Sequence, residues 1–299
     1  MNQNRYDLLL ELAKQYREYD NFVHLHLHTT YSFFDGFNRP SDSAKRAKEL
    51  GMTAQAITDH NHLAGVPDFQ KACKENGIKP LLGYEGYHTW NVDEITSKIE
   101  ERYQAAIEKA KLDGIEVSNE KKPTSKDKEL LKKYMYDTHS YHILFIAKDQ
   151  EGWKNIIQMQ SESAARGLFN GRYHCDTEMM RKYKNGILMT TACIQNTVNH
   201  LFINNRDNEA HCLLNEWKEI YQDDFYVEIQ PLSIPEQWIS NIKILKWAKE
   251  NNVKCVATND VHYTLKEDNE DHDTLFAMSL GKMKDDENRL RYSHDFWIR

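Results

Sequence analysis

From residue 22 onward, short apolar runs of strand length alternate with amphipathic stretches of helical length, and this alternation limits the possible folds more than any other feature of the chain. FVHLHLHT (22–29), AQAITDH (54–60), IKPLLGYEGYHTW (78–90), SYHILFIAKD (140–149), GILMTTAC (186–193), FYVEIQ (225–230) and VKCVATNDVHY (253–263) read as strands. Between them lie helical stretches. One starts at Pro40 and Ser41 and is closed by Gly51, and another ends at Gly77. The rest are GWKNIIQMQSESAARG, DTEMMRKYKNG, a long stretch near 196–221, and PEQWISNIKILKWAKENN. Such alternation argues for a parallel α/β architecture. About seven strands in roughly 240 residues is the size of a barrel.

Two segments stand outside the rhythm. Residues 1–20 read as an amphipathic helix with Leu8, Leu9, Leu12 and Ala13 along one stripe, an N-terminal helical extension to a domain covering 21–299. Residues 92–137 are dense in Glu and Lys, with Ile95, Ile99, Tyr103, Ile107 and Ala110 at helical spacing and Gly114 and Pro123 as punctuation. This reads as an inserted helical hairpin or a partly mobile excursion.

The strand ends carry the chemistry. In His24-Leu25-His26-Leu27-His28 alternate side chains share one face, so three imidazoles project together from a strand that otherwise reads as buried. Asp35 follows in SFFDG, where an Asp before Gly is by itself a turn residue. Asp59-His60, Glu85, His142, Cys193, Asp260 and His262 each lie in one of the other apolar strands, most of them at its end. In parallel barrels the C-terminal strand ends meet on one face, where active sites are built. Imidazole, carboxylate and one thiolate together suit Zn²⁺, with Mn²⁺ or Fe²⁺ as alternatives. Such a set is too large for one ion and suits two or three bridged by carboxylates, an arrangement that activates water against a phosphate ester. The chain has no GxSxG, Walker A or GxGxxG sequence.

Composition narrows the setting. The net charge of −7 argues against a free-standing nucleic-acid binder. No apolar run reaches the roughly 18 residues of a membrane span, and the charged N-terminus lacks a signal-peptide core. The five cysteines, Cys73, Cys175, Cys193, Cys212 and Cys255, form no CxxC pair and suit a reducing cytoplasm, a host's if the gene is a phage's.

In this order, HLHLHT, DG, TDH, GYE, YHILFIAKD, AC and TNDVHY resemble the motif series of the PHP (polymerase and histidinol phosphatase) superfamily. The longer runs FVHLHLHTTYSFFDG, AITDHNHLAGVPDF, GIKPLLGYEGY, HILFIAKDQEGWKNI and VATNDVHYTLKEDNEDHDTL are similar to the PHP domain of bacterial DNA polymerase III alpha subunits rather than to the phosphatases. The resemblance implies a distorted seven-stranded α/β barrel. It implies that His26, His28, Asp35, His60, Glu85, His142, Cys193, Asp260 and His262 are the metal ligands and act in catalysis through the bound metals. His24 stands where many PHP proteins carry Asp and is left beside the ligand set. Thr191-Ala192 stands where the polymerases often have Ser-Gly, and Asn61 where Gly is common.

With every ligand position filled, the resemblance implies a metal-dependent phosphoesterase, a zinc-dependent 3′–5′ exonuclease associated with proofreading. The sequence stops at DFWIR, about where the family continues into the polymerase palm. The expectation is therefore a fragment or one piece of a split polymerase, unable to polymerise alone. Its partners would be DNA 3′ ends, held weakly by this chain alone, a polymerase core in cis or as a separate chain, and a proofreading subunit. The alternatives are a small-molecule phosphatase resembling histidinol phosphatase, or a non-catalytic scaffold that docks polymerase or proofreading subunits.

Overall fold

Proline, glycine and short polar caps set the limits of the helices. The computed structural model describes residues 22–97, 99–117, 124–131, 134, 140–169, 171–292 and 296–298. Helix α1 (Pro40–Glu49) begins on a proline, whose missing N–H costs nothing in the first turn, and is followed by Gly51 at φ 77°. Helix α2 (Val66–Asn76) ends on Gly77 at φ 70°. Helices α3 (Val92–Ser97), α4 (Ile99–Leu112) and α5 (Ser125–Leu131) lie in the charged insertion. Asp149 caps α6 (Gln150–Arg166) by accepting from Gly152 N, and Asp176 caps α7 (Thr177–Tyr183) by accepting from Met179 N. The long stretch near 196–221 is two helices, α8 (Thr197–Ile203) and α9 (Asp207–Tyr221). The break falls at Asn205, whose φ of 57° no helix accommodates. Helices α10 (Pro235–Glu250) and α11 (Asn269–Ser279) follow. No described helix is long and apolar enough to cross a membrane. The helix expected over 1–20 lies outside the described residues.

The strands are β1 (Ala54–Ile57), β2 (Lys79–His88), β3 (Tyr141–Ala147), β4 (Leu168–Phe169), β5 (Arg172–Cys175), β6 (Ile187–Thr190), β7 (Phe225–Ile229) and β8 (Lys254–Ala257). They form one sheet in the order β4-β5-β2-β3-β6-β7-β8, with β1 beside β2. The expected seven strands are thus eight, and their directions are mixed. Strand β3 runs antiparallel to both β2 and β6. The reason is the insertion. His88 pairs with Tyr141, so residues 89–140 leave and return at adjoining points of one antiparallel pair. No crossover helix is needed to join such strands. The small β4–β5 hairpin adds a further antiparallel pair.

The run FVHLHLHT, expected as a strand, makes only isolated bridges, among them Leu27 to Val261. Its amides are partly taken by side chains. Leu27 N donates to Thr58 Oγ1 at 2.8 Å and Thr29 N to Asp59 Oδ1 at 2.6 Å, which interrupts a continuous ladder. The run nonetheless lies between β1 and the segment after β8. Ala56 N donates to His24 O and Thr58 N to Leu27 O, while His28 N donates to Val261 O and Val261 N to His26 O.

The largest core cluster packs α6 to α10 against the middle of the sheet, with Phe145, Met189, Val198, Leu214, Trp217, Phe225 and Ile244 buried. Each large apolar side chain so buried contributes about 1.5–3 kcal/mol. A second cluster joins α1 and α2 to β1 and the histidine run through Ala47, Phe69, Ile57, Leu27 and Val261. These two cores hold the strand ends that bear the polar cluster. In the insertion, Tyr103, Ala106, Ile107, Ala110 and Leu131 form a small core of their own.

Candidate metal centre

All nine ligand positions named above fall in one connected set of contacts. His26 Nε2 lies 3.1 Å from His28 Nε2, 3.1 Å from Asp260 Oδ1 and 3.4 Å from Glu85 Oε1. His28 Nε2 is 3.2 Å from Asp260 Oδ1 and 3.4 Å from Glu85 Oε2. Glu85 Oε2 meets His60 Nδ1 at 2.7 Å, and Glu85 Oε1 meets His142 Nδ1 at 3.0 Å. Cys193 Sγ stands 3.3 Å from His142 Nδ1. Asp35 Oδ2 reaches His60 Nε2 at 2.7 Å and His262 Nε2 at 3.5 Å.

The histidine run explains part of this convergence. Alternation puts His26 and His28 on one face. Their rings lie 5.1 Å apart, and His60 stacks on His28 at 4.1 Å. His24 packs edge-on against Phe22 instead, 5.0 Å between centroids. Asp35 arrives on a turn in which Asp35 N and Gly36 N both donate to Ser32 O. A Cβ at Gly36 would sit 2.0 Å from Thr29 O, so only glycine lets this loop fold back.

Backbone strain concentrates here. Seven described non-glycine residues have positive φ: Phe34, Asn61, Ala192, Asn205, Gln222, Asn252 and Asp260. Phe34 precedes Asp35, Asn61 follows His60, Ala192 precedes Cys193, and Asp260 is itself in the cluster. Left-handed backbone at a non-glycine residue costs roughly 1–2 kcal/mol and gathers at functional sites. Asn61 and Ala192, where the resemblance would place glycine, have φ of 62° and 49°.

The donor set fits divalent cations. His28, His60 and His262 offer ligand atoms all within 4.8 Å of one another, as do His26, His28 and Glu85, and His60, Glu85 and His142. Asp35, Cys193 and Asp260 adjoin these groups through the contacts given. His60 Nδ1, Glu85 Oε2, Asp260 Oδ1 and His262 Nε2 are buried yet make no directed hydrogen bond. The Nε2 atoms of His26 and His28 face one another across 3.1 Å, an approach that needs a proton or a cation between them. Clustered buried carboxylates require positive charge between them.

Protons supply that charge when no cation does. Burial opposes ionisation of His26, but Asp260, Glu228 and Glu85 outweigh it and raise its pKa well above 6.5. His60 is raised in the same way against burial, chiefly by Glu85, and His262 by Asp35 and Asp260. His28 takes the opposite course. Burial, with His60 and His262 beside it, pushes it down to about 3. Glu85 and Asp35 are held well below the usual carboxylate range, against burial, by the imidazoles around them. The carboxylates of the cluster therefore favour protons on His26, His60 and His262.

Exposure defines the mouth. The side chains of His26 and His28 are wholly buried and Glu85 is 1% exposed, whereas Asp35, His60 and His142 are 19%, 15% and 14% exposed. Asp35, His60 and His142 form the rim, and the others form the floor.

Sequence reasoning missed the residues that hold this cluster in place. Glu228, in β7, is buried and its Oε1 meets His26 Nδ1 at 2.7 Å. Thr190 Oγ1 donates to Glu228 Oε2 at 2.5 Å, Thr258 Oγ1 to Oε1 at 2.5 Å, and Gln230 Nε2 to Oε1 at 3.0 Å. Glu228 at Nδ1 turns Nε2 of His26 into the cluster, where it would offer its lone pair to a metal. Asp59, which the sequence placed with His60 among the metal-capable strand-end residues, serves instead to accept from Thr29 N, Thr29 Oγ1 and Ser32 Oγ, locking the loop that carries Asp35. Tyr292 donates to Asp35 Oδ1 at 3.0 Å, and His272 Nε2 meets Asp35 O at 2.8 Å.

A profile described as "PHP domain" matches residues 24–231. The DNA polymerase III subunit alpha of Helicobacter pylori strain J99 is 32% identical over 294 residues, covering 95% of this chain and 21% of the relative. That of Borreliella burgdorferi is 32% identical over 279 residues, covering 93% and 21%. This chain thus spans about a fifth of the length of the curated relatives it matches. Among solved structures, an amidohydrolase from Chromobacterium violaceum aligns with a TM-score of 0.40 and 15% identity, covering 81% of this chain and 87% of that one.

Proposed function

The chain belongs to the PHP domain family, and we propose that it is a metal-dependent phosphoesterase that removes nucleotides from DNA 3′ ends, a 3′–5′ exonuclease of the proofreading type working within a replicative DNA polymerase III alpha assembly. The observation that carries this reading is the convergence of His26, His28, Asp35, His60, Glu85, His142, Cys193, Asp260 and His262, with buried imidazole and carboxylate donor atoms packed against one another below a partly open rim. In this reading residues 21–299 are one PHP domain with the insertion at 92–137, preceded by an extension over 1–20. The eight strands close into a distorted barrel through the histidine run, which is hydrogen-bonded to β1 on one side and to residue 261 on the other.

Two or three divalent ions, Zn²⁺ foremost and Mn²⁺ or Fe²⁺ as alternatives, would supply Lewis-acid polarisation of a phosphoryl oxygen and a water acidic enough to attack near neutral pH. The chain's own residues do the positioning. Glu228 fixes the tautomer and plane of His26. Ser32 Oγ, 3.2 Å from His28 Nδ1, and Asp260 O, 2.8 Å from His262 Nδ1, do the same for those rings. Tyr292 and His272 hold Asp35 at the rim from outside the cluster. The buried floor excludes bulk water, which strengthens every charge interaction in the site. With a net charge of −7, the chain would draw its affinity for a strand largely from a polymerase core, in cis or as a separate chain, alongside a proofreading subunit in the cytoplasm.

The test is hydrolysis by the purified chain, loaded with Zn²⁺ or Mn²⁺, of a primer carrying a 3′ mismatch, beside histidinol phosphate. Metal-dependent release of 3′ nucleotides, abolished by chelator, is the expected result. Turnover of histidinol phosphate alone would assign the site to a small-molecule phosphatase. Tight metal binding without turnover of either substrate would make the domain a scaffold.

A further inference from the structure

Two large side chains beside the metal centre contribute nothing to the core. Phe33 is 73% exposed and Phe34 55%. Phe34 also sits at φ 61°, where a bulky residue is an outlier. The turn that presents them is not loose. Asp35 N and Gly36 N donate to Ser32 O at 3.0 and 2.9 Å, and Ser32 N donates to Thr29 O at 2.9 Å. Ser32 Oγ is anchored on Asp59 Oδ1 at 2.8 Å. The rings point outward because a rigid backbone aims them there. Phe34 adjoins Asp35 in the chain, and Asp35 touches His60 at the rim. His62, two residues beyond His60, lies 6.0 Å from Phe33, centroid to centroid. Phe33 and His62, on two loops, therefore come together close in sequence to the rim residues Asp35 and His60, with Phe34 exposed beside Phe33 in the chain.

We propose that Phe33 and Phe34, flanked by His62, form a stacking platform for the unpaired terminal nucleobase of the strand whose 3′ phosphodiester enters the metal centre. The inference rests on the phosphoesterase reading and adds to it the substrate class, a single-stranded 3′ end bearing a base. Every nucleobase has a π-face, so such a platform is indifferent to sequence, and stacking of one base is worth roughly 5- to 100-fold in affinity. A chain of net charge −7 gains little from phosphate contacts, which leaves stacking as the contact its own surface can offer.

The experiment compares two 5′-fluorescein oligothymidylates by anisotropy at low salt, both with phosphorothioate linkages to block hydrolysis. One ends in a normal 3′ nucleotide, the other in an abasic tetrahydrofuran residue. The wild-type chain should prefer the intact end roughly tenfold, and the preference, unlike total affinity, should not vary with salt. Phe33→Ala/Phe34→Ala should bind both oligomers alike, while Phe33→Trp keeps the preference. Circular dichroism melts show whether the double variant is folded, and Phe33→Ala alone serves if it is not, with a partial loss expected. Equal binding of the two oligomers by the wild-type chain would overturn the proposal, as would a preference undiminished in the variants. Loss of self-association on sedimentation, with the base preference unchanged, would assign the rings to a protein contact and equally overturn it. If the wild-type chain shows the preference but never trims an unmodified 3′ end, the platform stands and the phosphoesterase reading fails.

Discussion

Replacing Glu228 by Gln should weaken metal binding about 10- to 100-fold while leaving the fold intact. The carboxylate is buried and accepts at Oε1 from Thr258, Gln230 and the Nδ1 of His26, and at Oε2 from Thr190. Gln keeps an acceptor for His26 if its amide nitrogen takes the place of Oε2, and the Thr190 hydroxyl can rotate to accept from it. The hydrogen-bond count then changes little, and the cost to folding should stay near 1 kcal/mol. What is lost is the negative charge beside His26, hence the charge-assisted bond that makes its Nε2 a stronger ligand. Loss of such an outer partner costs 10- to 100-fold in affinity, or about 1.4–2.7 kcal/mol. Competition titration with a chromophoric Zn²⁺ chelator, repeated with Mn²⁺ followed by electron paramagnetic resonance, measures it. Thermal melts of the metal-free proteins provide the control. An affinity within twofold of wild type for both ions, in a variant that melts normally, would refute the role given to Glu228.

Other outcomes follow from the same geometry. Asp260→Asn and His60→Ala should each lose metal and phosphoesterase activity together, because each touches several members of the cluster; near wild-type turnover at saturating metal would place the site elsewhere. Phe34→Gly should stabilise the chain by about 0.5–1 kcal/mol in denaturant titrations, since it relieves a left-handed φ of 61° at an exposed side chain, and a loss of stability would mean that the ring packs usefully. Burial, with His174 nearby, pushes His88 down to about 3, so between 6.5 and that value the unfolded chain binds a proton that the folded chain refuses, and stability falls with pH. His88→Asn should therefore lessen the loss of unfolding free energy between about pH 7 and pH 5, by a slope approaching 1.4 kcal/mol per pH unit in denaturant titrations; equal slopes would exclude His88 as a contributor. Replacing residues 99–134 with a short Gly-Ser linker should leave metal binding unchanged, because the segment spans the end of an antiparallel pair and its small core is its own; loss of the metal would show that the insertion supports the centre.

The convergence of candidate ligands was legible in the sequence where it is written in residue type. Of the three histidines at alternate positions, two join the cluster while His24 packs on Phe22, so the pattern alone did not separate a site from packing; Asp, Glu, Cys and His in one short strand after another are what point at one site. Strand direction was not legible, because it depends on connections rather than on local pattern. SYHILFIAKD reads the same whether its neighbour runs with it or against it, and only the return of residues 89–140 to the end of β2 makes the pair antiparallel. The histidine run is extended, yet side chains of Thr58 and Asp59 take two of its amides, and such nonlocal competition leaves no trace in periodicity. Glu228 shows a third kind of silence. In FYVEIQ a Glu among apolar residues looks like the solvent-facing member of an alternating strand. It is buried because β7 lies between β6 and β8, whose neighbouring threonines, Thr190 and Thr258, turn their hydroxyls toward it. A carboxylate that holds a ligand rather than serving as one needs only a buried strand and hydroxyls on both sides. An isolated acid inside an apolar strand, in a chain already rich in histidine at its strand ends, is therefore itself a signal of the support around a metal site. Tyr292 and His272 carry no such mark, since they reach Asp35 from 257 and 237 residues away in sequence and only the folded chain brings them there.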